Sequence, residues 1–370
     1  MKAKIVLFLL ICLCGYAYWH YDTNSFVMPK KIEITQWAKA RVNREIMQVT
    51  KPVPPADVKK AYVFLKSKTA VYFSIRSGKV DVSIHSDALR KNTYFKVMNY
   101  VIKQLAAKKH LKDNDFIVIL QDRTEDILLP KELAHVPVFV FAKDLEQNTS
   151  AIRLLIVDSF TLKSWTNIYK DLKKCKKSLP WEKKKSKLFW RGKTTDAADI
   201  EEFRLNSPRA NLTKLTKENP VRYDARLTKI LSTEPLLLAK VKKQCGDVVP
   251  FASIKDHLGF KYQITLDGLT ATFPGYLWRM ASGCVNIKQD STDVQWFYEL
   301  FQPNVHYVPV KRDLSNIDDI VQYAQAHDAD MKTMAMRAHI VVEQELTPSK
   351  VFGYLVELLN AYAAKLDFKN

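Results

Sequence analysis

Residues 261–310, KYQITLDGLTATFPGYLWRMASGCVNIKQDSTDVQWFYELFQPNVHYVPV, constrain the fold more than any other stretch of the chain. Residues 262–266 are β-branched and aromatic, and the run breaks at Asp267-Gly268. A small-residue loop, 269–272, then leads through Phe273-Pro274 into a helical pattern. Proline suits the first position of a helix. A strand, a glycine turn and a helix N-terminus together form an anion cradle, because free N–H groups and the positive dipole end point above the loop. Further strands are expected at 285–288 and 306–310, with a short helix between them. Such alternation predicts a parallel sheet that binds ligands at its strand C-termini.

The preceding half carries the same grammar more faintly. Residues 116–120, 138–141 and 154–157 are apolar runs without alternation, as in strands buried on both faces. Each ends in polar residues, Gln121-Asp122-Arg123, Lys143-Asp144 and Asp158-Ser159, which predicts a working edge there. A hairpin is expected at 69–75 and 80–84 around Ser77-Gly78, followed by an amphipathic helix over 87–109. Residues 31–49 have helical spacing that ends at Pro52, Pro54 and Pro55. Lysine dominates 170–187 around Pro180-Trp181, which reads as an inter-domain junction. Beyond it come a strand at 188–190, the turn Arg191-Gly192-Lys193-Thr194-Thr195, and a helix over 207–217 with Ser207 as N-cap and Pro208 inside it. Helices are also expected at 316–327, 329–344 and 349–366.

The 370 residues leave room for two domains, and 58 Lys and Arg against 39 Asp and Glu give a net charge of +19. That charge predicts attraction to a polyanion: nucleic acid, an acidic membrane or a phosphorylated glycolipid. KLFWRGKTT is not a P-loop, since Lys187 stands where the first glycine is required. No zinc motif, nucleophile elbow or dinucleotide fingerprint occurs. Cys12 and Cys14 lie in the apolar N-terminal run, leaving Cys175, Cys245 and Cys284 widely spaced, which points to a reducing compartment for the globular part. Residues 5–19 are apolar after a basic start and are followed by aromatic residues, so residues 1–21 read as a membrane anchor or signal-like segment. Lysines on both sides leave its orientation open.

KYQITLDG, Lys288-Gln289-Asp290-Ser291, Trp296-Phe297-Tyr298 and HYVPVKRDLS resemble the core of glycosyltransferase family 90. That family includes capsule-associated xylosyltransferases, Rumi-type protein O-glucosyltransferases and lipopolysaccharide-modifying relatives. The resemblance implies a GT-B-like fold of two facing Rossmann-like α/β domains behind the N-terminal hydrophobic anchor. The division it implies is a helical connector at 22–60, an acceptor-side domain at 61–178, a nucleotide-sugar-binding domain at 179–345, and a C-terminal helix at 346–370 packing back.

The resemblance also implies roles. Asp122, with Asp126 as second choice, is the expected general base that takes the proton of an acceptor hydroxyl. Arg191, Gly192 and Lys193 correspond to a loop that touches the nucleotide-sugar, Lys193 standing where relatives have serine. Arg209, in PRANLTKLTKENP, corresponds to a diphosphate-binding arginine, suited to the task by its bidentate fork. Gly268, Leu269, Thr270, Ala271, Thr272 and Phe273 correspond to the segment that wraps the sugar donor. The arginine that usually ends that segment is Pro274 here, so one cationic donor contact is either missing or supplied elsewhere, by Arg279 or Lys288. The implied reaction is a single inverting displacement on a UDP-sugar of the glucose or xylose class, with the nucleotide-sugar as co-substrate and no obligatory metal. A basic, anchored chain without lumenal disulfides suits a lipopolysaccharide or other lipid-linked glycan acceptor at the cytoplasmic face of a membrane. The alternatives are a secretory-pathway protein O-glycosyltransferase, which sequons at Asn148 and Asn211 permit, and a non-catalytic glycan- or membrane-binding relative. Nucleic acid is not an expected partner, since only net charge favours it.

Overall fold

The computed structural model describes residues 26–65, 69–122, 124, 127–147, 149–176, 178–196, 205–232 and 234–368. Two helices come first, α1 (Gln36–Ile46) and α2 (Pro55–Leu65). Then follow β1 (Ala70–Arg76), β2 (Lys79–Ile84), α3 (Thr93–Ala107), β3 (Asn114–Ile119), β4 (Val138–Val140), β5 (Lys143–Asp144), β6 (Arg153–Leu155) and α4 (Ser159–Lys176). The next elements are β7 (Lys185–Lys193), α5 (Pro208–Glu218), β8 (Tyr223–Lys229), α6 (Pro235–Cys245), α7 (Ile254–Leu258), β9 (Phe260–Thr265), α8 (Gly275–Ala281), β10 (Val285–Gln289), β11 (Asp293–Val294) and β12 (Val308–Val310). Three helices close the chain: α9 (Ile317–Ala326), α10 (Asp328–Glu345) and α11 (Pro348–Ala363).

These strands build two five-stranded sheets, ordered β2-β1-β3-β4-β6 and β12-β10-β9-β7-β8. The second is parallel throughout. The first is mixed: β3, β4 and β6 are parallel, while the β1–β2 hairpin adds an antiparallel edge. Ser77 (φ 49°) and Gly78 (φ 83°) both take the left-handed conformation that a tight hairpin turn needs. A two-residue ladder, Asp293 opposite Asp144 and Val294 opposite Lys143, joins the two halves, extended by Leu145 N–H donating to Thr292 O at 3.1 Å.

One hydrophobic core runs from α1 through the first sheet to α11, where Phe352, Tyr354, Leu355 and Leu359 are buried. A second fills the second sheet and includes Leu188, Tyr262, Ile264 and Ile287. The chain's last helix therefore returns to the first core. Gly353 makes that return possible: a Cβ there would sit 1.9 Å from the Glu33 carbonyl oxygen, backbone that cannot yield cheaply. Gly353→Ala should lower stability by about 1–3 kcal/mol, read as a lower urea midpoint with an unchanged denaturant slope.

Several elements differ from the sequence reading. The lysine-rich stretch taken as a junction from residue 170 is, up to Lys176, the end of α4. Leu162, Trp165, Tyr169 and Leu172 are buried at helical spacing, while Lys170, Lys173 and Lys174 occupy its solvent face. The helix expected over 87–109 begins only at Thr93, where Asn92 caps it by accepting from Tyr94 N–H at 2.7 Å. β8 and α6 were not anticipated. Cys175, Cys245 and Cys284 are free thiols.

Candidate functional site

The C-terminal ends of both sheets face a cavity of 310 Å³. The first half contributes Tyr94, Asp122 and Phe160. The second contributes Arg191, Gly192 and Lys193 at the end of β7, Arg209 on α5, Gly268–Phe273 after β9, and Arg279 on α8. Among the described residues, all those expected at the site except Lys288 thus meet at one place. Asp126 and Asn148 lie outside the described residues.

Among the described residues of the three polar strand ends in the first half, only Asp122 lines this cavity. Asp158 instead caps α4, accepting from Thr161 N–H at 2.8 Å and Thr161 Oγ1–H at 2.6 Å, and burial lifts its pKa to about 6. Lys143 turns to Glu45 at 3.4 Å. Burial also raises the Asp122 pKa, an effect that the Tyr94 hydroxyl, donating to Oδ1 at 3.4 Å, partly opposes. Tyr94 is itself braced edge-on by Phe160 and Phe141, with ring centroids at 4.7 and 6.0 Å.

Opposite lie the cations. Arg209 is 7% exposed, and its fork is occupied by the chain itself. Nε donates to Asp267 O (3.1 Å), Nη1 to Lys193 O (2.7 Å) and Thr195 Oγ1 (2.6 Å), and Nη2 to Leu266 O (2.8 Å). Among the described residues one Nη2 N–H is left over, so the expected bidentate grip on a diphosphate is not available in this arrangement. What Arg209 offers an anion is its charge, that one N–H, and the positions of the loops it ties together. Nor is the α5 N-terminus bare: Ser207 Oγ accepts from Ala210 N–H and Asp196 Oδ2 from Arg209 N–H. Arg191 is likewise committed, donating to Asp224 O at 2.7 Å and Asp224 Oδ1 at 2.8 Å.

Arg279 is the cation that the sequence weighed only as a substitute for the absent arginine at 274. It is 5% exposed, donates through Nη1 to Gly275 O at 3.0 Å, and among the described residues has no partner for its buried Nε. Burial and nearby Arg209 push its pKa down to about 9. An anion in the cavity would relieve both. Gly268 permits the tight approach of loop and arginine: a Cβ there would lie 2.8 Å from Thr195 Oγ1 and 3.4 Å from Arg209 Nη2. Tyr94, Trp190, Thr228 and Phe251 also line the cavity and went unrecognised. Their approach depends on tertiary packing, which no local pattern announces.

Lys288 stands apart. It lines a neighbouring cavity, and its Nζ donates to Gln289 O at 3.1 Å and lies over the Tyr298 and Tyr276 rings at 5.2 and 5.7 Å.

The profile of Glycosyl transferase family 90 matches residues 44–370. Among curated proteins, protein O-glucosyltransferase 2 of Danio rerio is 28% identical over 305 residues, 81% of this chain and 56% of that protein. Protein O-glucosyltransferase 3 of Homo sapiens is 26% identical over 290 residues, 77% of this chain and 54% of that protein. The chain spans about half the length of these relatives. Among solved structures, Anabaena HepE in complex with UDP and glucose aligns with a TM-score of 0.42 at 12% identity, covering 74% of this chain and 75% of that one. The membrane-associated, cytoplasmic placement is overturned. The matched relatives are named for glucosylating protein, and among the described residues no helix is long and apolar enough to cross a membrane. Residues 1–21, where an anchor is expected, lie outside the described residues.

Proposed function

Since this chain belongs to glycosyl transferase family 90, we propose that it is an inverting glycosyltransferase of GT-B-like architecture, moving glucose from UDP-glucose to a hydroxyl of a protein acceptor. The observation that carries this reading is a single cavity lined by a half-buried carboxylate, Asp122, from the first half and by buried cations, Arg209 and Arg279, from the second.

In the proposed step the acceptor oxygen attacks the anomeric carbon as the bond from that carbon to the β-phosphate oxygen breaks. The hydroxyl proton passes to Asp122, and the electron pair of the broken bond leaves on UDP. Charge thus grows on the diphosphate during the reaction. Fixed cations aimed at developing charge lower the barrier without reorganising. Arg279 supplies a buried positive charge at the cavity wall, and Arg209 fixes the 266–268 turn beside it. We further propose that these arginines meet the charge without a divalent ion, so that EDTA leaves the rate unchanged.

The test is a turnover assay with UDP-glucose, UDP-xylose and UDP-N-acetylglucosamine against a protein acceptor and a lipopolysaccharide acceptor, with the product anomer read by NMR. UDP-glucose with protein and an inverted anomer is the expected result. A retained anomer removes the single-displacement mechanism, and transfer only to lipopolysaccharide removes the protein acceptor.

A further inference from the structure

Tyr94, in the first turn of α3, is held by both polar ends of its own backbone. Its N–H donates to the Asn92 cap at 2.7 Å, and its carbonyl accepts from Ser159 Oγ–H at 3.0 Å. Its ring stands edge-on to Phe160 and Phe141. The hydroxyl, fixed by these contacts, donates to Asp122 Oδ1 at 3.4 Å. Asp158 also lies close enough to act on this tyrosine, but Thr161 engages both of its carboxylate oxygens at the head of α4.

Phe141 carries the contact further. It follows β4, is 1% exposed, and meets the Phe273 ring edge-on at 6.2 Å. Phe273 ends the 268–273 loop of the second half, yet it packs against the core that runs through the first sheet. The other end of that loop, Gly268, lies against Thr195 and Arg209, and Thr270 Oγ1–H donates to Asp293 Oδ1 at 2.8 Å. A chain of contacts thus runs from the arginine-bearing side to the carboxylate: Phe273, Phe141, Tyr94, Asp122. Protein interiors are close-packed and pass displacements on. Ring packing alone would be served as well by phenylalanine at 94; the hydroxyl aimed at a half-buried carboxylate points to a part in the reaction.

We propose that Tyr94 is a positioning residue for the proton acceptor and that Phe273 sets it from the donor side, so that the loop at the proposed donor site also places the base. The inference rests on the reading of Asp122 as that base. A hydroxyl donating to a carboxylate favours its charged form, so Tyr94 opposes the effect of burial on Asp122. Among the described residues, the other charged groups lining this cavity are Arg191, Lys193, Arg209 and Arg279, all from the second half.

Tyr94→Phe keeps the ring and removes the hydroxyl. The acid limb of kcat/KM should then move to higher pH by roughly 0.5–1 pH unit. Asp158 titrates nearby, at about 6, so the Asp122 carboxyl carbon is also titrated by NMR, its resonance assigned by its absence from Asp122→Asn; it should move the same way. Phe273→Leu keeps the loop apolar and removes the ring edge. It should lower kcat about tenfold or more and shift the limb in the same direction, and adding it to Tyr94→Phe should shift the limb no further. An unmoved carboxyl titration in folded Tyr94→Phe overturns the role of Tyr94. A Phe273→Leu protein that only raises KM for UDP-glucose, or that adds its own shift in the double variant, overturns the link. Wild-type transfer by Asp122→Asn fails the reading of Asp122 as base, and the inference falls with it; an unmoved titration beside an inactive Asp122→Asn fails the inference alone.

Discussion

Asp122→Asn abolishes sugar transfer while UDP still binds. Removing a positioned proton acceptor costs about 10²- to 10⁴-fold in rate, and asparagine preserves the shape that Tyr94 contacts. Single-turnover assays with UDP-glucose, set beside calorimetric titration with UDP, separate the two effects. The pH dependence has a definite sign. The base acts deprotonated, so kcat/KM falls as the pH drops through its pKa, and burial places that pKa above the ordinary carboxylate value of about 4. The same burial destabilises the fold. A carboxyl whose pKa is higher folded than unfolded binds more protons in the native state, so its contribution to stability declines as the pH rises between the two values. Asp122→Asn should therefore raise the Tm at neutral pH while removing activity. A carboxylate with a purely structural role would give a lower Tm instead.

Arg209→Lys is as damaging as Arg209→Ala. Four N–H groups of this guanidinium run to acceptors in three segments: the end of β7, Thr195, and the turn after β9. An ammonium on a flexible stem cannot reproduce a planar fork. Buried carbonyls left without donors cost about 1–3 kcal/mol each, so a loss of at least ~3 kcal/mol in urea unfolding is expected, with UDP affinity falling more than tenfold. Lysine rescuing both would mean that charge alone matters at this position.

The contrast between Asp122 and Arg209 also indicates what a sequence can disclose. Residues 261–310 were legible because strand, turn and helix follow one another there with local signals, and β9, α8, β10 and β12 lie close to where those signals put them. The strand ending before Asp122 was legible as an unbroken apolar run. α4 was obscured because lysines crowd its C-terminal end, at 170, 173, 174 and 176, where Leu172 is the one buried apolar residue. β8 was hidden by its alternating polar residues, which suit its position at the edge of the second sheet. The saturated fork of Arg209 was beyond reach, since two of its acceptors lie 57 and 58 residues away along the chain. Lys288 lies one residue before the end of β10, yet it lines a different cavity from the 268–273 loop, because side-chain direction at a strand end is decided by packing.

The short ladder between β5 and β11 has one more implication. Together with α11 folding back onto the first core, it fastens the halves along one border by main-chain bonds. Any widening of the gap must swing about that seam, as a book opens from its spine. Asp122 would then withdraw from the arginines along an arc, while Lys143 and Val294, at the seam itself, would scarcely move.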